Sequence, residues 1–266
     1  GETDDAVGVC FDVPEDLQSE FTFRHGEYLT LRADIDGEEV RRSYSICAGV
    51  DDPQLQIAVK WIDGGRFSAY ANESLKPGDV IDVMPPAGTF TCTLDPEHEK
   101  SYLCIAAGSG ITPVISIVKS ILAREPKSHV TLLYVNQKVS SIMFREELEF
   151  LKNRFMQRFQ RIHILSRENR DTDILNGRID NRKGGELMRG LLDLGSTDEF
   201  FLCGPEAMIS EVSRGLRASG IDEARIHYEL FGASADDAAA VVEKHHERAR
   251  RHAGKVCAVT VISGGR

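Results

Sequence analysis

Through residues 1–98, apolar and polar positions alternate in short runs that Gly, Pro and Asp interrupt. Tyr28-Leu29-Thr30-Leu31, Leu55-Gln56-Ile57-Ala58-Val59-Lys60 and Val80-Ile81-Asp82-Val83 read as short strands between turn signals. Asp36-Gly37, Asp63-Gly64-Gly65 and Pro77-Gly78-Asp79 have the composition of turns. Several short strands at this spacing predict a small antiparallel barrel.

From Ser101 the rhythm lengthens to strand, loop, helix. Residues 102–107 form a continuous apolar run, as expected of a strand covered on both faces. A helix is predicted over 112–124, and a strand over 130–135. A second helix, over 143–155, sets Phe144, Leu148, Leu151 and Phe155 on one face. Further strands are predicted at 162–165, 200–203 and 226–230, and further helices around 187–194 and over 206–219. The alternation predicts a parallel sheet with helices on both sides. Residues 233–255 break the pattern with a small, acidic stretch and then the charged run Glu243–Arg251. That run reads as a solvated linker helix, and His245, His246 and His252 within it as solvated residues rather than a metal site. Residues 256–262 read as one more strand, followed by the turn Ser263-Gly264-Gly265.

A chain of 266 residues with 41% hydrophobic content holds two cores comfortably. No apolar run reaches membrane-spanning length. The net charge of −10 lacks the basic face that nucleic acid demands. Cys10, Cys47, Cys92, Cys104, Cys203 and Cys257 are scattered, without metal-ligand or redox spacing. They read as buried thiols of a reducing compartment, and no segment resembles a signal peptide; the expected location is the cytoplasm.

Three segments carry chemistry. Arg42-Ser43-Tyr44-Ser45 combines a planar cation for phosphate, a ring to pack against a ring, and a small hydroxyl; a plain barrel strand is the alternative. Asp63-Gly64-Gly65-Arg66-Phe67-Ser68 places glycines before a helix start, where free amides can approach a phosphate, or it is a simple turn. Gly108-Ser109-Gly110-Ile111-Thr112-Pro113 is a glycine-rich turn opening a helix. Its last position departs from the dinucleotide fingerprint, yet Pro suits the first helical turn. Thr112 can cap that helix or turn toward a ligand. The acid usually found about 20 residues further on is missing, since Asn136-Gln137-Lys138 stands there. Cys203-Gly204-Pro205 ends a predicted parallel strand, where open sheets place ligands; a structural thiol is the competing reading.

In this order the segments resemble the ferredoxin–NADP reductase superfamily, and most of all the reductase components of bacterial multicomponent oxygenases of the phenylacetyl-CoA epoxidase type. The resemblance covers roughly residues 4–232 and includes Arg41-Arg42-Ser43-Tyr44-Ser45-Ile46-Cys47, Pro85-Pro86-Ala87-Gly88-Thr89-Phe90 and Met143-Phe144-Arg145. It implies an FAD-binding barrel at 1–98, an NAD(P)-binding domain at 99–232, a linker at 233–255, and at 256–266 the start of a truncated 2Fe-2S ferredoxin domain. It implies flavin contacts from Arg42, Tyr44, Ser45, Val59, Gly65, Arg66, Phe67, Ser68 and Phe231. Nicotinamide nucleotide contacts are implied for Gly108, Gly110, Thr112, Pro113, Ser166, Arg167, Cys203, Gly204 and Pro205. Ser166-Arg167 resembles the pair that holds the 2′-phosphate in NADP-using relatives. Ser45, Cys203 and Glu229 are the implied catalytic residues, with no metal ligands. The implied cofactors are FAD and NAD(P)H, with FMN as the rival flavin.

The implied function is transfer of electrons from NAD(P)H through FAD to an iron–sulfur centre, and then to an oxygenase partner. That cluster needs four thiolates in a plant-type spacing absent from this sequence, so a 2Fe-2S centre is expected only in a longer form. Val259–Arg266 resembles the first strand and turn of the ferredoxin domain, and Glu2-Thr3-Asp4-Asp5-Ala6-Val7 aligns one strand into the family's barrel. A free-standing ferredoxin or flavin reductase is one alternative. A non-catalytic flavin-binding electron-transfer subunit is another, consistent with Val135 and Gln137 where the family has Gly and Arg.

Overall fold

Alternation along Tyr28–Ile35 (β2) sends Leu29 and Leu31 inward, and neither retains exposed surface. The computed structural model describes residues 2–168, 177, 192–231 and 257–262, with the backbone alone at 257–259 and 262. β2 pairs antiparallel with Glu38–Ser45 (β3) on one side and Val80–Ala87 (β5) on the other. Ala6–Asp12 (β1) pairs antiparallel with Leu55–Lys60 (β4). The sheet curls until its ends meet: Ile46 bridges Ile57, and Cys47 N donates to Gln56 O at 2.9 Å. Inside lie Phe11, Ile57, Val59 and Val83, with Phe67 and Ala71 from the helix Arg66–Glu73 (α1). This is the predicted barrel.

The second unit alternates as expected. Its elements run Ser101–Ala107 (β6), Ile111–Arg124 (α2), His129–Asn136 (β7), Arg145–Arg154 (α3), Phe159–Leu165 (β8), Glu199–Gly204 (β9), Glu206–Ala218 (α4) and Ile226–Leu230 (β10). All pairs are parallel, in the order β10-β9-β6-β7-β8. The apolar run of β6 serves both faces. Tyr102, Cys104 and Ala106 share a core with α2 and with Leu148 and Leu151 of α3. Leu103 and Ile105 share another with Met208, Val212 and Leu216 of α4.

Two expectations meet different outcomes, and two fall largely or wholly outside the described residues. The helix read from Met143 starts at Arg145, because Phe144 takes φ 55° immediately before it and cannot continue a right-handed turn. The helix expected around 187–194 lies outside the described residues except for 192–194, which are not helical. The linker at 233–255, with His245, His246 and His252, lies outside them entirely. The strand assigned from sequence to a further domain, Cys257–Ile262 (β11), lies in the barrel sheet, antiparallel to both β5 and β1. The sheet order becomes β3-β2-β5-β11-β1-β4. The physical reason is that β5 and β1 each present an unpaired backbone edge, which a strand with its own donors and acceptors satisfies.

α2 joins the two units along its length. Ser116 Oγ donates to Ala48 O at 2.6 Å, and Ser120 Oγ accepts from Val50 N at 3.1 Å. Lys119 Nζ donates to Cys47 O at 3.3 Å and pairs with Asp52 at 2.7 Å and with Glu147 of α3. Arg124 pairs with Asp51. The loop so held, 47–52, follows directly on β3. Among the described residues no helix is long and apolar enough to cross a membrane.

Lys119→Met removes one cation from between two carboxylates in a mostly buried seam. It should lower the free energy of unfolding by roughly 1–3 kcal/mol, between the values for surface and buried pairs. Urea denaturation measures it, and a loss indistinguishable from zero would remove the seam's electrostatic role.

Candidate functional site

β6 lies between β9 and β7, and the chain steps to opposite sides of it. The carboxyl ends of these strands therefore flank a topological switch point, where open sheets bind ligands. Gly108–Gly110 forms one 3-10 turn there, and α2 begins at Ile111. Gly108 adopts φ 54°, and a Cβ on it would meet nothing within 4 Å, so the turn faces open space. Gly110 is the opposite case: a Cβ there would collide with the Cys203 carbonyl and lie 2.8 Å from Gly204 N. The glycine turn and the end of β9 are thus pressed together. Thr112 was a candidate cap, but its hydroxyl donates to Ser109 O at 3.0 Å inside the turn, and Gly110 holds the cap position. Pro113 is buried in the first turn of α2. Tyr134 of β7 supports the turn from behind, donating its hydroxyl to Gly108 O at 3.1 Å.

One hydrogen bond links the side chains of a barrel strand and a sheet strand at this end of the molecule. Ser45 Oγ, at the end of β3, donates to Glu229 Oε2 at 3.1 Å. Glu229 sits on the edge strand β10, in register with Cys203 of β9. The three implied catalytic residues thus converge from three strands. Burial pushes the Glu229 carboxyl up to about 7, and the Ser45 bond opposes that rise. Burial, and then the charge of Glu229, holds the Cys203 thiol well above the usual thiol range. Cys203, with no exposed surface, is therefore a neutral packing group rather than a nucleophile.

The proposed flavin residues lie beside this contact. On β3, Arg42 and Tyr44 share one face by strand alternation, and Ser45 takes the other. Tyr44 packs its ring 5.5 Å from that of Phe67, and burial pushes its hydroxyl up to about 12. Arg42 is exposed and donates to Arg41 O at 2.7 Å. Gly65 precedes α1, whose first-turn amides lack intrahelical partners. Ser68 closes that turn, accepting from Ile62 N at 3.1 Å and donating to Gly65 O at 2.9 Å, so the backbone is left as the main donor there. Arg66 is engaged with Glu38 and Ile35 O. Val59 and Phe67 turn their side chains into the barrel core. Phe231 follows β10 and remains 38% exposed.

Ser166 and Arg167 follow the carboxyl end of β8, the edge strand opposite β10. Arg167 is exposed, and among the described residues its guanidinium has no partner. Sequence reading missed two groups in this region. Tyr134 gave only the signal of a buried aromatic at a strand end, and Glu168 that of a loop acid. Among the described residues no cluster of His, Cys, Asp or Glu suits a metal ion.

Comparison with known proteins agrees with this division. The family described as oxidoreductase FAD-binding domain matches residues 3–92, and that described as oxidoreductase NAD-binding domain matches 104–214. The chain is 45% identical over 230 residues to one of the subunits of 1,2-phenylacetyl-CoA epoxidase from Escherichia coli, covering 86% of this chain and 65% of that protein. It is 31% identical over 238 residues to the ferredoxin reductase component of 3-ketosteroid-9-alpha-monooxygenase from Rhodococcus rhodochrous, covering 89% and 64%. The chain thus spans just under two thirds of these relatives. Its fold matches the FAD/NAD-binding domain of nitric oxide dioxygenase from Vibrio cholerae with a TM-score of 0.72 at 27% identity, covering 88% of this chain and 95% of that one.

The raised Glu229 carboxyl has a consequence for stability. Its folded value, about 7, lies above its ordinary 4.5, so the folded chain binds more protons than the unfolded chain between those values. This contribution to stability is present below pH 4.5 and is lost as pH rises through 7. Glu229→Gln keeps an acceptor for Ser45 and removes the titration. Its melting temperature should exceed that of the wild type at pH 8, with a smaller gap at pH 5. An equal gap at both values would remove Glu229 as a buried titrating group.

Proposed function

The chain belongs to the FAD- and NAD-binding oxidoreductases of the ferredoxin–NADP reductase type, and from that premise we propose that it is the flavin-bearing part of an oxygenase reductase component. It takes electrons from NAD(P)H and passes them toward an iron–sulfur centre and an oxygenase of the phenylacetyl-CoA epoxidase kind. The proposed setting is the cytoplasm, where the free thiols stay reduced. The observation that carries the reading is the Ser45–Glu229 bond, which brings the end of the flavin strand against the strand end where Cys203 lies. The likeness to the reductase components named above supports it from a second direction.

The residues fit their two ligands. Arg42 supplies a planar fork, and the start of α1 supplies amides, for the flavin pyrophosphate. Tyr44, backed by Phe67, offers a ring face, and Phe231, exposed just past β10, would supply an aromatic cover. The open side of Gly108 admits the nicotinamide pyrophosphate to the α2 start. Bound FAD supplies the redox chemistry, accepting a hydride and releasing electrons singly.

This chain's residues do the rest. Ser45 presents a hydroxyl that rotates between Glu229 and a ligand edge. Glu229 holds a proton on its carboxyl near neutral pH, so it can donate as well as accept. Cys203, neutral and buried at the carboxyl end of β9, would back the nicotinamide position. Arg167, exposed where β8 ends, would hold a 2′-phosphate and so favour NADPH.

The flavin released by heating the purified protein should be FAD, identified by chromatography; FMN would overturn that choice. Arg42→Ala should lose a charge-assisted phosphate contact worth roughly 1.5–3 kcal/mol and retain less flavin. Cys203→Ala should slow bleaching of the flavin by saturating NADPH in stopped flow, with flavin content near that of the wild type. An unchanged rate would return Cys203 to the core.

A further inference from the structure

Where β8 ends, three successive residues are tied to the chain that leaves β7. Ser166 N donates to Asn136 O at 2.9 Å, and Arg167 N donates to Gln137 O at 2.9 Å. The first bond keeps the register of the parallel pair, and the second, on the very next residue, departs from its alternation. The third tie is made by a side chain: Glu168 Oε2 accepts from Val139 N at 3.1 Å. Val139 opens the 3-10 turn Val139–Ser141, whose leading amide has no partner within the turn. Arg167 is therefore anchored by its own amide and, one residue later, by a carboxylate. Its guanidinium stays exposed and without a partner among the described residues.

We propose that Glu168 is a positioning residue that fixes the Ser166-Arg167 corner for a 2′-phosphate, and so sets the preference between NADPH and NADH. The proposal rests on the reading of Arg167 given under Proposed function. An acid beside a phosphate site is repulsive, so its presence needs a compensating role, and the bond to Val139 N supplies one. Capture of that amide takes up part of the carboxylate's charge. It also leaves Arg167 with less backbone freedom to lose when its side chain engages a phosphate. A different role is open to an acid at such a strand end: accepting a bond from the ribose 2′-hydroxyl, which favours NADH. The two roles give opposite results.

The test is calorimetric binding of 2′,5′-ADP and 5′-AMP to the flavin-loaded protein and its variants. Wild type should bind 2′,5′-ADP more tightly than 5′-AMP. Glu168→Ala should weaken 2′,5′-ADP about fivefold to tenfold and leave 5′-AMP within about twofold, as for loss of one hydrogen bond that orients Arg167. Glu168→Gln keeps an oxygen for Val139 N and sheds the negative charge, so it should bind 2′,5′-ADP at least as tightly as wild type. Arg167→Ala should remove the preference, and Glu168→Ala added to it should cost little more, the non-additivity expected of residues acting as one unit. Equal weakening of both nucleotides by Glu168→Ala, additive losses, or a selective loss of 5′-AMP would overturn the positioning role alone. A wild type without preference for 2′,5′-ADP would overturn the Arg167 reading together with it.

Discussion

Burial of α2 is the constraint on which the rest of the molecule depends. From Ile111 to Leu122 every residue except Lys119 is buried. Its seven large aliphatic side chains there contribute on the order of 10–20 kcal/mol before conformational entropy is counted. One end of the helix carries the glycine turn against β9, and its flank holds the 47–52 loop that follows Ser45. A single rigid element therefore sets how far the barrel strand stands from the sheet edge. Ser116 and Ser120 are fully buried and both hydroxyls have partners, so the seam is specific in register as well as apolar.

Two acids, Glu125 fully buried and Glu229 half-buried, show how the surroundings set a carboxyl's charge. Burial raises both, and the number of donors decides the outcome. Glu125, with no exposed surface, receives Tyr102 Oη at 2.8 Å, Ser128 Oγ at 2.7 Å, His98 Nδ1 at 2.9 Å and Asp95 N at 3.2 Å. These bonds outweigh its desolvation and hold it below the usual carboxylate range. Glu125 is a structural anion at the far end of α2. Glu229 accepts from Ser45, its one donor among the described residues, and desolvation wins, leaving it near neutrality where a proton can come and go. Glu125 is saturated with donors and Glu229 is not.

The barrel shows a different constraint, that of backbone pairing. Without β11, the facing edges of β1 and β5 would have no partner in the sheet. Closure by a strand so distant in sequence ties the flavin unit to the far end of the chain, with Val261 in the barrel core.

Much of the fold was legible in the sequence because it rests on local periodicity. Period-two runs marked β2, β4 and β5, the unbroken apolar run marked β6, and Gly108–Gly110 marked the entry to α2. Phe144 was misplaced inside a helix because its hydrophobic spacing fits one, while its left-handed backbone is decided by packing. The placement of β11 was illegible for the same kind of reason, since a short apolar strand does not encode its partner. At the site, Ser45, Cys203 and Glu229 were singled out by segments that resemble a known family. Tertiary structure alone decided that Ser45 meets Glu229 across 184 positions, that Thr112 and Ser68 turn their hydroxyls inward, and that Glu168 reaches Val139 N. Sequence specifies which groups exist and which way each strand faces. Distances between groups, and the desolvation that tunes Glu229, arise only when α2 is buried between the two sheets.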